Sequence, residues 1–288
     1  VLVTDDTTEA SAAVEQRRGR SLMPRLHAGF SVGTMLGAGL GALAALWHVP
    51  VAWHLGVVLG LSLLIVLVAT RSFLPFDPAP ARSDASTART GAFAAWAEPR
   101  TLLIGVIVLA AALTEGAAND WIGLAVVDGF DTSNAVGAVG FAVFVTAMTG
   151  MRLLATRLLD ARGRVQVLRI AGSLALVGLL VFGLVPNIVV AMVGVVVWGM
   201  GAALGFPVGM SAAADEPGRA PARVAVVSTI GYSAFFVGPP LLGLLADHVG
   251  YRHALLAIAV PVVIGLLVTS AARPLTTGAT DIGRTVGA

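Results

Sequence analysis

Eight apolar stretches constrain the fold of this chain more than any other feature of its sequence. Most of them approach the roughly 20 residues that an α-helix, rising about 1.5 Å per residue, needs to cross a hydrocarbon core of about 30 Å. The helices over the two shortest stretches can extend by a few residues into the Arg-containing segments that flank them. The pattern predicts an all-α polytopic membrane protein with eight transmembrane helices. The stretches span residues 26–47, 51–70, 101–127, 135–151, 170–185, 188–213, 224–246 and 254–272.

The arginines lie almost entirely on one side of this arrangement. If successive helices run in opposite directions, 17 of the 18 basic residues lie in connections on the same side, and only Arg252 lies on the other. Basic residues are retained on the cytoplasmic side of a membrane. We therefore expect a multi-pass protein of the inner (plasma) membrane with both termini in the cytoplasm.

The composition agrees with a lipid bilayer as the surrounding medium. The chain is 57% hydrophobic and only 12% charged, with a mean hydropathy of +0.90, whereas about a quarter of the residues of a soluble domain are charged. The net charge of +2 and the placement of Arg in short loops argue against a nucleic-acid partner. Without Cys, and without metal-ligand spacing among the five His, we expect no metal and no cofactor.

One long polar segment divides the helices unevenly. Residues 71–100 are rich in Pro, Ser and Gly, which is typical of a flexible linker. Residues 29–31 are similar to residues 231–233, at a spacing of 231 − 29 = 202, which suggests two structural halves, the first represented by two helices. The predicted divisions are a cytoplasmic N-terminal tail (1–25), a two-helix part of the N-terminal half (26–70), a cytoplasmic linker (71–100), a six-helix C-terminal half (101–273) and a cytoplasmic tail (274–288).

In the connection after the fourth stretch, Leu158, Asp160, Gly163 and Arg164 form a short charged motif, which resembles the cytoplasmic loop motif of the major facilitator superfamily. An Asp can interact with a helix N-terminus, Gly permits a tight turn, and a basic residue holds the loop on the inner side. The sequence departs from the motif at Thr156, where the family usually has Gly, and at Ala161, where it often has a basic residue. The residues that fit are Leu158, Asp160, Gly163 and Arg164.

A second resemblance lies near the C-terminus. Gly238 and Pro239, followed by Tyr251 and Arg252, are similar to the Gly-Pro helix and the aromatic-Arg turn of the same superfamily, in its fucose-permease-like branch. The resemblance covers about residues 14–275 and implies that the eight helices correspond to helices 5–12 of a twelve-helix fold. We favour a truncated product of a longer transporter gene over a subunit whose partner supplies the four other helices. The implied function is secondary transport of a small-molecule substrate between two helical halves.

The third stretch contains the deepest acidic side chain. Counted from Thr101, Glu115 lies about two thirds of the way across the core and Asp120 lies near its outer boundary. An ionised carboxylate at such a depth costs about 2.5 to 3.5 kcal/mol, so Glu115 should face a cavity, find a partner or be protonated. Protonation of Glu115 would provide a proton relay, and Asn119, one turn further, could bind a polar substrate.

Arg152 is the second candidate for a buried charge. It either extends along its own helix towards the inner interface or contributes to a cytoplasmic gate. Two sets of glycines predict close helix packing, and Pro207 predicts a kink. The first set is Gly29, Gly33, Gly37 and Gly41, and the second is Gly199, Gly201, Gly205 and Gly209.

Two alternatives to transport were weighed. Gly29, Ser31 and Gly33 match a nucleophile elbow, but they lie in a membrane span and all five His lie at span ends, which disfavours an intramembrane hydrolase. We therefore predict that the protein is not an enzyme. A non-transporting membrane scaffold or a partner-dependent subunit stays open as the alternative.

Overall fold

The computed structural model describes residues 23–71, 93–216 and 219–275, and all regular structure in these ranges is helical. The eight main helices are α1 (Met23–Leu46), α2 (Val51–Thr70), α3 (Pro99–Phe130), α4 (Asn134–Arg162), α5 (Arg164–Leu184), α6 (Ile188–Ala202), α7 (Gly205–Ala213) and α8 (Ala220–Val249). They are followed by α9 (Tyr251–Ala254), a 3₁₀ turn (Leu255–Ile258), α10 (Ala259–Leu267) and a second 3₁₀ turn (Thr269–Ala272).

The helix boundaries follow from local capping chemistry. Ser133 accepts a hydrogen bond from the Val136 N–H at the start of α4, and Asn187 accepts bonds from the first turn of α6; these are preferred N-cap residues. Gly163 joins α4 to α5 in a single residue with a φ of 72°, a conformation that costs glycine little. Capping side chains thus set the starts of α4 and α6, and one glycine sets the turn between α4 and α5.

The expectation of eight membrane-crossing helices is met in part. Six segments of the described chain are long and apolar enough to cross a membrane, with α6 and α7 together forming one of them. The helix over the first predicted stretch, α1, is not among the six, and the last stretch forms the shorter Tyr251–Leu267 segment and a final 3₁₀ turn. Pro261 lies just after the 3₁₀ turn, and a proline removes the hydrogen bond to the fourth residue before it.

The fourth helix is longer than its apolar stretch. The stretch ends at residue 151, whereas α4 continues to Arg162, in line with the expected extension of this short stretch into its Arg-containing flank. The apolar pattern ends where Arg152 interrupts it. The helix continues because Arg152 has a partner inside the bundle, described below.

Glycines bring α5 and α6 into backbone contact at the centre of the bundle. A Cβ atom built on Gly178 would lie 2.6 Å from the Gly194 carbonyl oxygen, and one built on Gly201 would overlap the backbone of Ala175. Three buried aromatic side chains pack beside this contact, with the Trp198 ring centroid 5.4 Å from that of Phe144 and 6.0 Å from that of Phe182. In the second glycine set, built Cβ atoms on Gly199, Gly201, Gly205 and Gly209 all meet a neighbouring helix, as expected for close packing.

The first two helices pack far less. α1 lies alongside α4, and α2 buries none of its residues. In the first glycine set, a Cβ atom built on Gly33, Gly37 or Gly41 would meet no described atom within 4 Å, and the side-chain surroundings of Gly29 lie outside the described residues. The described chain thus provides no packing partner for these glycines.

Candidate functional site

A bidentate ion pair joins α3 to α4 inside the bundle. Nη2 of Arg152 donates hydrogen bonds to both carboxylate oxygens of Glu115, at 3.0 and 2.9 Å. The Glu115 side chain is 17% exposed and that of Arg152 is 21% exposed. Bonds between charged groups are about twice as strong as neutral ones. Glu115 has the partner that its depth requires, and this partner is Arg152.

A helix break supplies the third contact of the pair. Pro207 lacks an N–H, so the carbonyl of Ala203, four residues earlier, has no donor of its own helix at that position. The helix is interrupted at Ala203 and Leu204, between α6 and α7, in the region where Pro207 predicts a kink. Nε of Arg152 donates to the Ala203 carbonyl at 3.2 Å. The break therefore orients the Arg152 side chain towards Glu115.

The ion pair lies near the middle of the helices. Glu115 is 16 residues from the start of α3 and 15 from its end, which places it about 24 Å and 22 Å from the two ends at about 1.5 Å per residue. Arg152 is 10 residues from the end of α4, or about 15 Å along the helix, and its side chain reaches Glu115 of α3.

The other predicted pathway residues lie one turn further along α3. Asn119 and Asp120 are exposed and make no hydrogen bond to the described residues. The ring of the neighbouring Trp121 stacks on Tyr251 with centroids 5.5 Å apart. The structure therefore presents Asn119 and Asp120 at the surface of the bundle rather than in its core.

An aromatic cluster, which the sequence analysis did not predict, packs on α3 at Gly116, the residue after Glu115. Ring centroids of Phe206 and Tyr232 are 5.8 Å apart, and those of Tyr232 and Phe235 are 6.3 Å apart. Phe235 packs on Gly116, since a Cβ atom built there would lie 2.7 Å from the ring. Tyr232 and Phe235 are 40% and 39% exposed. In the sequence, the spacing of three residues between Tyr232 and Phe235 indicates that both side chains lie on one face of a helix.

Charged side chains gather at the end of the bundle that carries the starts of α3, α5 and α8, here called the Arg-rich face. Nη1 of Arg164 lies 2.8 Å from Asp215, and Nη2 of Arg100 lies 2.7 Å from the same carboxylate. Arg223 donates to Glu98 at 2.6 Å and to Glu216 at 2.9 Å. Two of these contacts, Arg100 with Asp215 and Arg223 with Glu98, join segments that are 115 and 125 residues apart in sequence.

Glu98, which precedes α3, shows the strength of this network. The hydrogen bond from Arg223 lowers the pKa of Glu98 below its ordinary value, and the bond from Thr101 acts in the same direction against the opposing effect of partial burial. A lowered pKa in the folded protein adds stability above the unfolded-state pKa, and this stability is lost as the pH falls through the folded-state pKa. The Glu98 contacts therefore contribute fully at neutral pH.

The loop-motif residues separate in the structure. Arg164 binds Asp215 and also donates to Ser211 at 3.4 Å, and Gly163 forms the turn. Asp160 is exposed and pairs with no described residue. Near the C-terminus, Gly238 packs on Leu113 of α3, and α8 continues through Pro239.

Arg252, at the opposite end, is buried. Its Nε donates to the Gly183 carbonyl at 3.1 Å, and its guanidinium carbon lies 4.7 Å from the centroid of the Phe130 ring. The hydrogen bond and the aromatic ring together stabilise the positive charge of Arg252 away from water. Among the described residues, no three His, Asp or Glu side chains converge as metal ligands would.

A bundle of apolar helices with an ion pair at mid-depth is characteristic of multi-pass membrane transporters, in which intramembrane charges mark pathways. The sequence model of the Major Facilitator Superfamily matches residues 11–239. The chain belongs to the Major Facilitator Superfamily, which confirms the resemblance found in its sequence motifs.

Related proteins share this assignment. The chain is 34% identical over 264 residues to the uncharacterised transporter y4wD of Sinorhizobium fredii, covering 88% of this chain and 68% of that one. It is 31% identical over 241 residues to an uncharacterised MFS-type transporter of Yersinia pestis, covering 81% of this chain and 59% of the relative. The fold is similar to that of the Escherichia coli fucose:proton symporter FucP, with a TM-score of 0.61 and 13% identity over 76% of this chain and 54% of FucP. The chain thus spans about half of the FucP structure.

Proposed function

We propose that this protein is a secondary transporter that moves a small, uncharged polar solute across the inner membrane, coupled to protons through Glu115. The observation that supports this most directly is the Glu115–Arg152 pair at mid-depth. In transporters of this architecture, substrate and coupling-ion sites lie near the bilayer midplane between helical halves. The proposed halves are represented by residues 26–70 and 101–273.

The pair suggests how coupling would work. When Glu115 is ionised, its charge and that of Arg152 cancel, and the carboxylate occupies the guanidinium. Protonation of Glu115 would release Arg152, which keeps the Ala203 carbonyl as a partner. The site would then alternate between a closed ion pair and an open, protonated form that offers a carboxyl group and a guanidinium to a solute.

The surroundings favour a solute with both polar and apolar faces. Phe206, Tyr232 and Phe235 form an aromatic cluster that contacts α3 at Gly116, the residue after Glu115, and Asn119 supplies an exposed amide one turn further along α3. Hydroxyl-rich rings, such as monosaccharides, match this combination. FucP is named a fucose:proton symporter, which makes sugars the first class to test.

Solute-dependent proton movement tests the proposal. The protein is reconstituted into vesicles containing a pH-sensitive dye, and monosaccharides and polyols are added one at a time. We expect at least one to drive proton movement in the direction of its own gradient. A parallel preparation joins this chain to the part of the Sinorhizobium transporter that it does not match. Solute flux without proton movement in both would contradict coupling, and no flux with any solute would favour the scaffold alternative.

The proposed orientation is tested separately by thiol labelling. The Arg distribution predicts that residue 83 faces the cytoplasm and that Asp247, in the last turn of α8, faces outward. The chain has no Cys, so Ser83→Cys and Asp247→Cys each introduce a single thiol. A membrane-impermeant maleimide should label only the Asp247→Cys variant in intact cells and both variants in broken cells. Labelling of position 83 alone in intact cells would reverse the orientation.

A further inference from the structure

A basic groove opens on the outer side of α5 at the Arg-rich face, away from the Glu115 site. It has a volume of about 860 Å³ and lies between the end of α4, the first half of α5 and the segment after the last 3₁₀ turn. Arg162, Arg169 and Arg273 line it together with Gln166 and Ser173. No carboxylate lines it, so the charge of the groove is strongly positive.

The three arginines differ from their neighbours in lacking acidic partners. Arg100, Arg164, Arg219 and Arg223 each form an ion pair with a described carboxylate. Within the described part of the chain, Arg162, Arg169 and Arg273 form no ion pair. Nε of Arg169 donates to Thr269 at 3.2 Å, which holds the side chain against the groove. The uncompensated charges thus converge on one cavity.

The groove continues into an apolar strip along the membrane-spanning part of α5. Ile170, Leu174 and Val177 line it at spacings of four and three residues, which places them on one helix face. From Ile170 to Val177 the strip covers 177 − 170 = 7 residues, or about 10 Å, which lies within one leaflet of a hydrocarbon core of about 30 Å. Cations at the membrane surface are therefore followed by an apolar strip at acyl-chain depth.

We propose that this groove binds an anionic phospholipid of the adjacent leaflet, with its phosphodiester between Arg162, Arg169 and Arg273 and an acyl chain along Ile170, Leu174 and Val177. Basic pockets between transmembrane helices are suited to anionic headgroups. The apolar strip distinguishes a lipid from a free phosphate, which would use only the basic end. Occupancy would link the end of α4, α5 and the C-terminal segment.

Native mass spectrometry of the purified chain in detergent tests this site. Dioleoylphosphatidylglycerol and dioleoylphosphatidylcholine are titrated separately, so that the two lipids differ only in the headgroup. The test variant combines Arg162→Gln with Arg273→Gln, because both side chains are exposed and make no ion pair among the described residues. The matched control is Arg157→Gln, which removes an exposed arginine near the same end of α4 that does not line the groove.

The expected result is phosphatidylglycerol binding at least tenfold tighter than phosphatidylcholine binding in the unmodified chain and in Arg157→Gln. In the double variant, phosphatidylglycerol binding should weaken about 25-fold, at about fivefold for each basic side chain near the surface, while phosphatidylcholine binding stays unchanged. Leu174→Gln should weaken both lipids equally, because it alters only the apolar strip.

Three results would overturn the proposal. Equal affinity for the two lipids would remove the role of the headgroup charge, and unchanged phosphatidylglycerol binding in the double variant would place the lipid elsewhere. Complete displacement of phosphatidylglycerol by millimolar inorganic phosphate would make the site one for a free anion. Equal melting temperatures of the four proteins in lipid-free detergent would exclude misfolding as the cause of a binding difference.

Discussion

The Glu115→Gln variant is expected to lose proton-driven accumulation while it still exchanges solute across the membrane. Gln imitates the protonated carboxyl group and cannot release a proton, so the solute can cross without coupling. A pH gradient of one unit supplies about 1.4 kcal/mol per proton, or about tenfold accumulation. Accumulation should therefore fall from about tenfold to equality between the two sides. The measurement is uptake of labelled solute with and without an imposed gradient, compared with counterflow under equal pH.

A stability cycle separates this loss of coupling from misfolding. Glu115→Gln leaves Arg152 without its anion, and a lone intramembrane charge costs about 2.5 to 3.5 kcal/mol on insertion scales. We expect a smaller loss, about 1 to 2 kcal/mol, because the Arg152 side chain is 21% exposed and keeps its bond to Ala203. Arg152→Gln should also lower the melting temperature. The double variant should recover part of the loss, because no unpaired charge is left.

Asp120→Asn is the matched control for the transport experiment. Asp120 is five residues from Glu115 on the same helix, but its side chain is exposed and pairs with no described residue. Removing its charge should leave accumulation within about twofold of the unmodified protein, as expected for an exposed group without partners. Full pH-driven accumulation by a well-folded Glu115→Gln variant would show that the carboxylate is structural. Proton coupling through Glu115 would then be abandoned.

The helical architecture was predictable because apolar runs of this length leave few other solutions. In a bilayer, backbone polar groups must be paired within the segment, which favours helices. The prediction was weaker where a single charge or proline interrupts the apolar pattern. The apolar stretch of α4 ends at residue 151 because Arg152 interrupts it, although Glu115, 37 residues earlier, neutralises that charge. A linear hydropathy pattern contains no information about such a partner.

The candidate site was predictable in its acid but not in its partner. Glu115 stands out as a carboxylate inside an apolar run, whereas its ion pair depends on how α3 packs against α4. The Asp215 contacts show the same limit, since they join Arg100 and Arg164 across 115 and 51 residues. In both cases, tertiary packing decides which charges meet. Charge counts along the chain therefore located the Arg-rich face but not its network.

Gly178→Ala is expected to destabilise the bundle strongly, because the added methyl group has no space between α5 and α6. A Cβ atom on Gly178 would overlap the Trp198 backbone nitrogen and lie 2.6 Å from the Gly194 carbonyl oxygen. These obstacles belong to the backbone of α6, so relief requires α5 and α6 to separate. Overpacking costs about 1 to 3 kcal/mol even where side chains can adjust, and we expect about 3 kcal/mol or more here.

Gly150→Ala provides the control for this effect, because it adds the same methyl group to a helix of the same bundle. A Cβ atom on Gly150 would meet no described atom within 4 Å, so the substitution should be neutral or stabilise α4 by up to about 1 kcal/mol through its helix propensity. The melting temperature and the monodisperse fraction in detergent should therefore fall for Gly178→Ala and hold for Gly150→Ala. Equal melting of the two variants would contradict direct backbone contact between α5 and α6. Separation of these helices would also loosen the packing of Trp198 against Phe144 of α4, the helix that carries Arg152, so Gly178→Ala should weaken the site as well as the fold.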